Sequence, residues 1–269
     1  MSKIVISAEP DDLKTYLQKI WNHKSLIITL AKRDLKVKYA QTVLGLAWTV
    51  VQPITSVIVY TLFFSVLLNF ETPYPYVLFV LSGVLLWGLF NYIFSQGSTS
   101  LMQNQDLIRK MYFPKMILPF SKVLVAFVEF GVIFIIFLLM LLVFRVPISW
   151  KIILIPIPIF VLTLFSIGTA LILSAATIKN RDLNHIIPFL IYFGIWLTPV
   201  FYPVTVIPQQ YADWLYINPM AAVIQLFRWC IFDEPINKFI LIGIALSFII
   251  FGVGFFYFKK VEDKIIDLL

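Results

Sequence analysis

The chain has 269 residues, of which 61% are hydrophobic and 13% charged. Soluble domains sit near about half apolar and about a quarter charged, so one water-facing globule cannot hide this much apolar surface and lipid has to cover the rest. The single cysteine, Cys230, excludes an intrachain disulfide framework, and a formal charge of +7 in so apolar a chain points to basic loops beside membrane spans rather than to nucleic acid.

The segment before the first apolar run, residues 1–41, reads as a unit of its own. Leu13, Tyr16, Leu17, Ile20 and Trp21 recur at helical spacing, with Lys14, Gln18, Lys19 and Asn22 on other faces. Asp11 or Asp12 suits the N-cap. A basic amphipathic helix with a tryptophan reads as lying on the inner surface of a membrane; a helix packed on a soluble partner has the same pattern. The roughly forty polar and mixed residues ahead of the apolar run are the wrong layout for a cleavable signal peptide. Lys32, Arg33, Lys36 and Lys38 then crowd against the apolar run, as a positive-inside anchor or as contacts for an anionic headgroup.

Residues 42–269 read as six membrane-spanning helices, each about 20 apolar residues or somewhat more or fewer. They are expected over Thr42–Phe70, Tyr76–Ser95, Lys122–Phe144, Ile152–Thr177, Ile186–Phe201 and Phe239–Phe258. Met220–Ile231 is too short for a seventh and carries Arg228. With the N-terminus inside, only Arg145, Lys151, Arg228 and Lys238 of the 21 basic residues fall outside, which places both termini in the cytoplasm. Gln52 with Pro53 is expected to interrupt the first span, and Pro156 with Pro158 falls near the start of the fourth. The stretch 103–119 is the longest internal connection on the cytoplasmic side, with Leu107, Ile108, Met111 and Phe113 set among polar and basic residues. It suits either a short force-transmitting helix ended by Pro114 or an ordinary charged loop. Residues 202–237 are too apolar for a solvated loop and too interrupted by proline for a span. Two short helices meeting at Asn218-Pro219 would form a re-entrant hairpin, with Arg228 at its outer edge or facing a cavity.

Charges inside the spans are few. Glu129 lies about seven residues beyond Lys122, roughly 10 Å deep, and should face the bundle with a cationic or hydrogen-bonding partner, as a gating group or as a structural tie. His185 sits near Lys179, Arg181 and Asp182 and reads as an interfacial anchor. Trp48, Tyr60, Trp87, Tyr92, Tyr192 and Trp196 lie beside small or polar residues; they suit belts and packing, or a face that slides along a sugar polymer. No Gly-Lys pair occurs, so the chain lacks a phosphate-binding loop and cannot be its own ATP-driven motor by that route. Neither HExxH nor a histidine cluster is present, the only histidines being His23 and His185. The chain is thus expected to move something rather than convert it.

Four segments in order resemble one family. "RDLKVKYAQTVLGLAWTVVQP" at 33–53, "NQDLIRKMYFP" at 104–114, "NRDLNHIIPFLIYFGIWLTPVFYP" at 180–203 and "NPMAAVIQLFRW" at 218–229 are similar to the transmembrane subunits of ABC-2-type exporters for O-antigen, teichoic acid and capsule-like polymers. The resemblance implies an all-α permease in the cytoplasmic membrane, working as a homodimer over two copies of a separate ATPase that holds ATP and Mg, with no cofactor on this chain. It further implies a push delivered to the 103–119 loop at Asp106, Leu107, Ile108, Arg109 and Lys110. It implies a polyprenyl-pyrophosphate-linked or similarly lipid-anchored glycan as cargo; the cations Arg33, Lys36 and Lys38 at the inner face are the expected contacts for its lipid phosphate. The pore and gate would use Trp48, Tyr60, Trp87, Tyr192, Trp196, Tyr202 and Arg228, the periplasmic gate lying within Tyr202–Trp229. A drug or small-lipid exporter of the same architecture, or a membrane-embedded glycan-processing enzyme, would be the alternatives; for the latter the outer loops offer only Glu71, Asp213, Asp233 and Glu234, in no constellation.

Overall fold

The computed structural model describes residues 12–147, 149–262 and 264–265, and these are mostly helical, with no strand among them. Lys3 and Asp11 lie outside the described residues. Two helices precede the first span, α1 (Leu13–Asn22) and α2 (Lys24–Tyr39). Five later helices are long and apolar enough to cross about 30 Å of hydrocarbon. They are α3 (Gly45–Leu67), α4 (Tyr76–Gln103), α6 (Ile117–Val143), α7 (Trp150–Lys179) and α11 (Ile240–Glu262). Between them lie the short α5 (Gln105–Lys110) and α8 (Leu183–Gly194), and the pair α9 (Gln209–Ile217) and α10 (Pro219–Phe232), bent by 103°.

Helix α4 is the centre of the bundle. Its 28 residues reach about 42 Å at roughly 1.5 Å each, so its last turns, rich in Ser, Thr and Gln, project beyond a hydrocarbon slab. It lies between α6 and α7, and α7 in turn packs on α11. Close approach along these contacts depends on residues without a side chain, the usual device where lipid supplies no hydrophobic drive between helices. A Cβ at Gly168 of α7 would stand 2.6 Å from Phe251 Cα of α11, and one at Gly83 of α4 would stand 2.5 Å from the Val200 carbonyl.

Helix α3 is the opposite case: 6% of its apolar window is buried, against 72% for α4. Trp48, Val51, Ile58 and Leu62 face outward from it. The helix runs through Pro53 without a break, contrary to expectation; Pro53 falls early in the regular stretch Trp48–Tyr60. The irregularity comes later, where Thr61–Leu67 widens into a π-helical turn.

The span expected over Ile186–Phe201 is continuous as a path but not as a helix. The twelve residues of α8 reach about 18 Å, and turns carry the chain from Ile195 to Phe201. Asn184 Nδ2 lies 3.0 Å from Met102 Sδ at one end of α4. At the other end the Tyr76 hydroxyl donates to the Phe201 carbonyl. The segment therefore follows α4 from end to end. The expected pair of short helices about Asn218-Pro219 is present. Asn218 caps α10 by accepting from the Met220 amide at 3.0 Å and donates to Thr198 Oγ1 at 2.9 Å, and Pro219 takes the first helical position.

Helix α1 turns part of its apolar face inward. Tyr16 is buried against α11, where its hydroxyl donates to Glu262 and its ring meets Phe255 edge-on. The same carboxylate accepts from the Lys115 backbone amide ahead of α6. Leu13, Leu17 and Trp21 remain exposed, so the helix keeps an apolar strip on its outer side while Tyr16 fixes it to the bundle. Asp12 stands at the N-cap position without a side-chain bond.

Candidate functional site: a cleft of aromatics and ion pairs beside α3

The end of α2 carries the first part of the site. Lys38 Nζ lies 2.6 Å from Glu129 Oε1 of α6 and 4.5 Å from the centre of the Tyr92 ring of α4. Tyr39 donates to the same Glu129 oxygen at 2.7 Å and lies 2.8 Å from Thr49 Oγ1. Burial and the adjoining carboxylate push the Tyr39 hydroxyl up to about 12, so it stays a donor. Glu129 thus has the cationic and hydrogen-bonding partners its depth demands, and they come from the segment leading into α3 rather than from another span.

These residues line one end of a cleft of about 410 Å³ between α3, α4 and α6. Trp48, Gln52 and Tyr60 line its α3 side, and Trp87 and Tyr92 its α4 side. Toward the other end Tyr60 stacks on Phe201 at 4.7 Å, Phe64 stacks on the same ring at 4.8 Å, and Trp196 meets it edge-on at 4.8 Å. Phe201 is the hub of this aromatic plug, and periodicity alone gave no sign of it.

A second hollow, of about 490 Å³, shares Lys38 and Tyr92 with the cleft. It is edged by Arg33, Asp34, Gln103, Asn104 and Lys122. Lys122 is almost fully buried and pairs with Asp34 at 2.6 Å. Arg33 donates to Asp34 and, at 2.8 Å, to Asn104 Oδ1, the residue just before α5. Two ion-pair clusters therefore tie α2 to α6 and to the start of α5. Asp34 was the overlooked member; the signal was a lone carboxylate within a run of cations.

Of the expected residues, Lys38, Trp48, Tyr60, Trp87 and Glu129 meet in the cleft, and Arg33 joins Lys38 in the adjoining hollow. Lys36 is exposed and lines neither. Tyr192 is exposed on α8 and does not line the cleft, and Trp196 and Tyr202 join it through the plug, Trp196 against Phe201 and Tyr202 donating to the Trp196 carbonyl at 3.2 Å. On α5, Ile108 is buried and Leu107 packs against the core, whereas Asp106, Arg109 and Lys110 face outward.

Arg228, expected at an outer edge or facing a cavity, does border a cavity beside the turns after α8, yet it is only 2% exposed and is held by backbone. Its guanidinium donates to Ser82 Oγ, Pro199 O, Phe79 O and Val200 O at 3.0–3.1 Å and lies over the Phe79 ring at 3.5 Å. The turns after α8 leave carbonyls without helical partners, and one planar fork satisfies several of them at once. Arg228 is a clamp holding 199–200 to α4 and α10.

The chain matches the family described as ABC-2 type transporter over residues 25–232. It is 27% identical to the O-antigen export system permease protein RfbA of Myxococcus xanthus, covering 86% of this chain and 91% of that protein. It is 26% identical to the protein of the same description from Klebsiella pneumoniae, covering 91% and 95%. It is 20% identical to the polysialic acid transport protein KpsM of Escherichia coli, covering 84% and 87%. The match extends over well more than half the sequence and takes in every element of the cleft, so this multi-pass membrane protein belongs to the ABC-2 type transporter family.

Proposed function

We propose that this chain is the membrane-spanning subunit of an exporter that carries a lipid-linked polysaccharide across the cytoplasmic membrane. Two copies form the passage, and two copies of a separate ATPase, which bind ATP and Mg, drive it. The observation that carries this reading is the cleft itself: aromatic on both walls, with the Lys38–Glu129 pair toward one end and Tyr60, stacked on Phe201, toward the other, and bounded by a helix that the rest of the chain leaves almost uncovered. A second copy set against α3 would cover Trp48, Val51, Ile58 and Leu62 and turn an open cleft into an enclosed path. Aromatic walls suit a sugar polymer because they give apolar contact to ring faces without gripping any one hydroxyl. The names borne by the relatives, O-antigen and polysialic acid transport, point to the same class of cargo.

In this reading the bundle has six spans, counting the 183–201 path, with both termini and the basic end in the cytoplasm, and α9–α10 is a re-entrant hairpin at the outer side. Helix α1 lies at the inner interface. Arg33, Lys36 and Lys38 receive the lipid phosphate, Lys38 from the cleft, Arg33 from the adjoining hollow and Lys36 from the exposed face of α2. Glu129 holds Lys38 until the phosphate arrives. The outward residues Asp106, Arg109 and Lys110 meet the ATPase, and the buried Leu107 and Ile108 pass its movement to the core. Phe201 with Tyr60 and Trp196 forms the gate.

Disruption of the encoding gene tests this. Loss of glycan from the cell surface, with the lipid-linked polymer retained inside and export restored by the intact chain, is the expected result. Unchanged surface glycan would sink the reading and favour an exporter of drugs or small lipids.

A further inference from the structure

A separate cavity of about 510 Å³ opens at the end of the bundle remote from Lys38, within the roughly 300–1,000 Å³ usual for small-ligand sites. It shares no lining residue with the α3 cleft. Three turns build it. The connection from α3 to α4 brings Glu71; the turns after α8 bring Pro199, Pro203 and Thr205; and α10 with the turn that follows it brings Gln225 and Glu234. Its position is held by left-handed backbone at Asn69 (φ 53°) and Asp233 (φ 58°), residue types that tolerate that region. Asp233 ends α10 and returns Glu234 toward the cavity, where the Tyr74 hydroxyl fixes it while the Tyr74 ring stacks on Phe232 at 3.7 Å.

The chemistry of the lining narrows the occupant. Arg228 forms part of the floor, but it is desolvated and committed to four acceptors, so it offers an anion little. Two carboxylates near the mouth oppose an anion further. A divalent cation would want about six or more oxygens in a shell, and two separated carboxylates do not supply one. What remains is a floor of proline and Phe79 surfaces under a rim of acceptors and amides. That suits a neutral ligand with an apolar face and hydroxyl edges: ring C–H groups on the prolines, hydroxyls donating to Glu71 and Glu234 and exchanging bonds with Thr205 and Gln225.

We propose that this cavity is a saccharide subsite, distinct from the passage, that holds one or two neutral sugar units of the polymer as it leaves the outer end. The inference rests on the export reading for the cargo and for which end faces out. Holding the emerging chain would oppose backsliding between strokes of the motor.

The test uses whole cells that export their own glycan. Cysteine is placed at Val204, which lines the cavity without a part in holding the sugar, or at Gln210, exposed and outside it, and a membrane-impermeant maleimide is added with glycan synthesis on or off. An occupied site slows labelling by one plus the ratio of ligand concentration to dissociation constant, about tenfold at nine times that constant. The expectation is about tenfold protection of Val204→Cys by glycan synthesis and none of Gln210→Cys. Equal labelling of Val204→Cys in both states, while surface glycan still depends on this chain, overturns the subsite and leaves export standing. Surface glycan that does not depend on this chain overturns both. Protection at both positions shows general shielding by surface polymer and also overturns the subsite. Should Val204→Cys fail to fold, Thr72→Cys, on a different turn of the same lining, gives the same readings.

Discussion

Arg228→Met separates a structural clamp from a gate. Methionine matches much of the arginine's length but donates nothing, so Pro199 O, Phe79 O, Val200 O and Ser82 Oγ lose a partner. Hydrogen bonds to a charged group contribute about 1.5–3 kcal/mol each, which for these acceptors sums to roughly 6–12 kcal/mol before any compensation. Against that, removing the guanidinium removes a desolvation cost of several kcal/mol. The expected net loss is about 3–5 kcal/mol, the usual consequence of breaking a buried charged network. For a chain of this size that lowers a melting midpoint by on the order of 10 °C. Arg228→Lys keeps the charge with three donors in place of a planar fork, leaves at least one acceptor unpaired, and should fall between the two. The assay is thermal unfolding of the purified protein in detergent, beside surface glycan in cells. An Arg228→Met protein that melts with the parent yet exports nothing would refute the clamp and restore Arg228 as a gating residue.

Other consequences follow from the same geometry. Neutralising Arg33, Lys36 and Lys38 together should slow export with the chain still folded, though less stable for the lost Glu129 and Asn104 contacts; unchanged export would remove these cations from the phosphate-binding role. Among single changes Lys36→Gln should cost folded stability least, because it lines neither hollow. Glu129→Gln keeps an acceptor for Tyr39 and loses only an ion pair to a lysine whose side chain is 41% exposed, so it should cost less than about 1 kcal/mol in a melting experiment. A large loss there would mean the pair is more deeply desolvated than the geometry indicates. Gly168→Leu puts a branched side chain where Phe251 Cα already stands 2.6 Å from a Cβ position, and should reduce folded yield in a size-exclusion profile, whereas Gly252→Leu, with open space at the same depth, should not.

How much of this was legible before the coordinates depends on what each residue's neighbours contribute. Hydropathy marked α3, α4, α6, α7 and α11 because a lipid-facing helix must be apolar along its length whatever it packs on. Their ends were less visible: α4 continues eight residues past Ser95 as a polar extension that no longer needs to be greasy. Glu129 announced that it would have a partner, since a lone carboxylate at depth is costly, but not that Lys38 and Tyr39 would supply it from a helix outside the span. The meeting of Trp48, Tyr60 and Trp87 follows from the pairing of α3 with α4, which no local pattern encodes. For Arg228 the cavity was foreseen and the bonding was not, for a physical reason. A cation in an apolar stretch looks like a group seeking water, and its real role depends on carbonyls freed by turns at Pro199 and Val200, far away in sequence. Tyr16 with Glu262 is another such tie, between residues 246 positions apart.

The central claim is that an external motor acts through α5, and co-expression with the ATPase encoded nearest to this chain tests it most directly. With an affinity tag on this subunit, the account predicts that the ATPase co-purifies in equal amount. ATP hydrolysis by the complex should fall when Arg109 and Lys110 are both replaced by glutamate, the chain itself remaining folded. Absence of any co-purifying ATPase, or hydrolysis indifferent to those replacements, would contradict it.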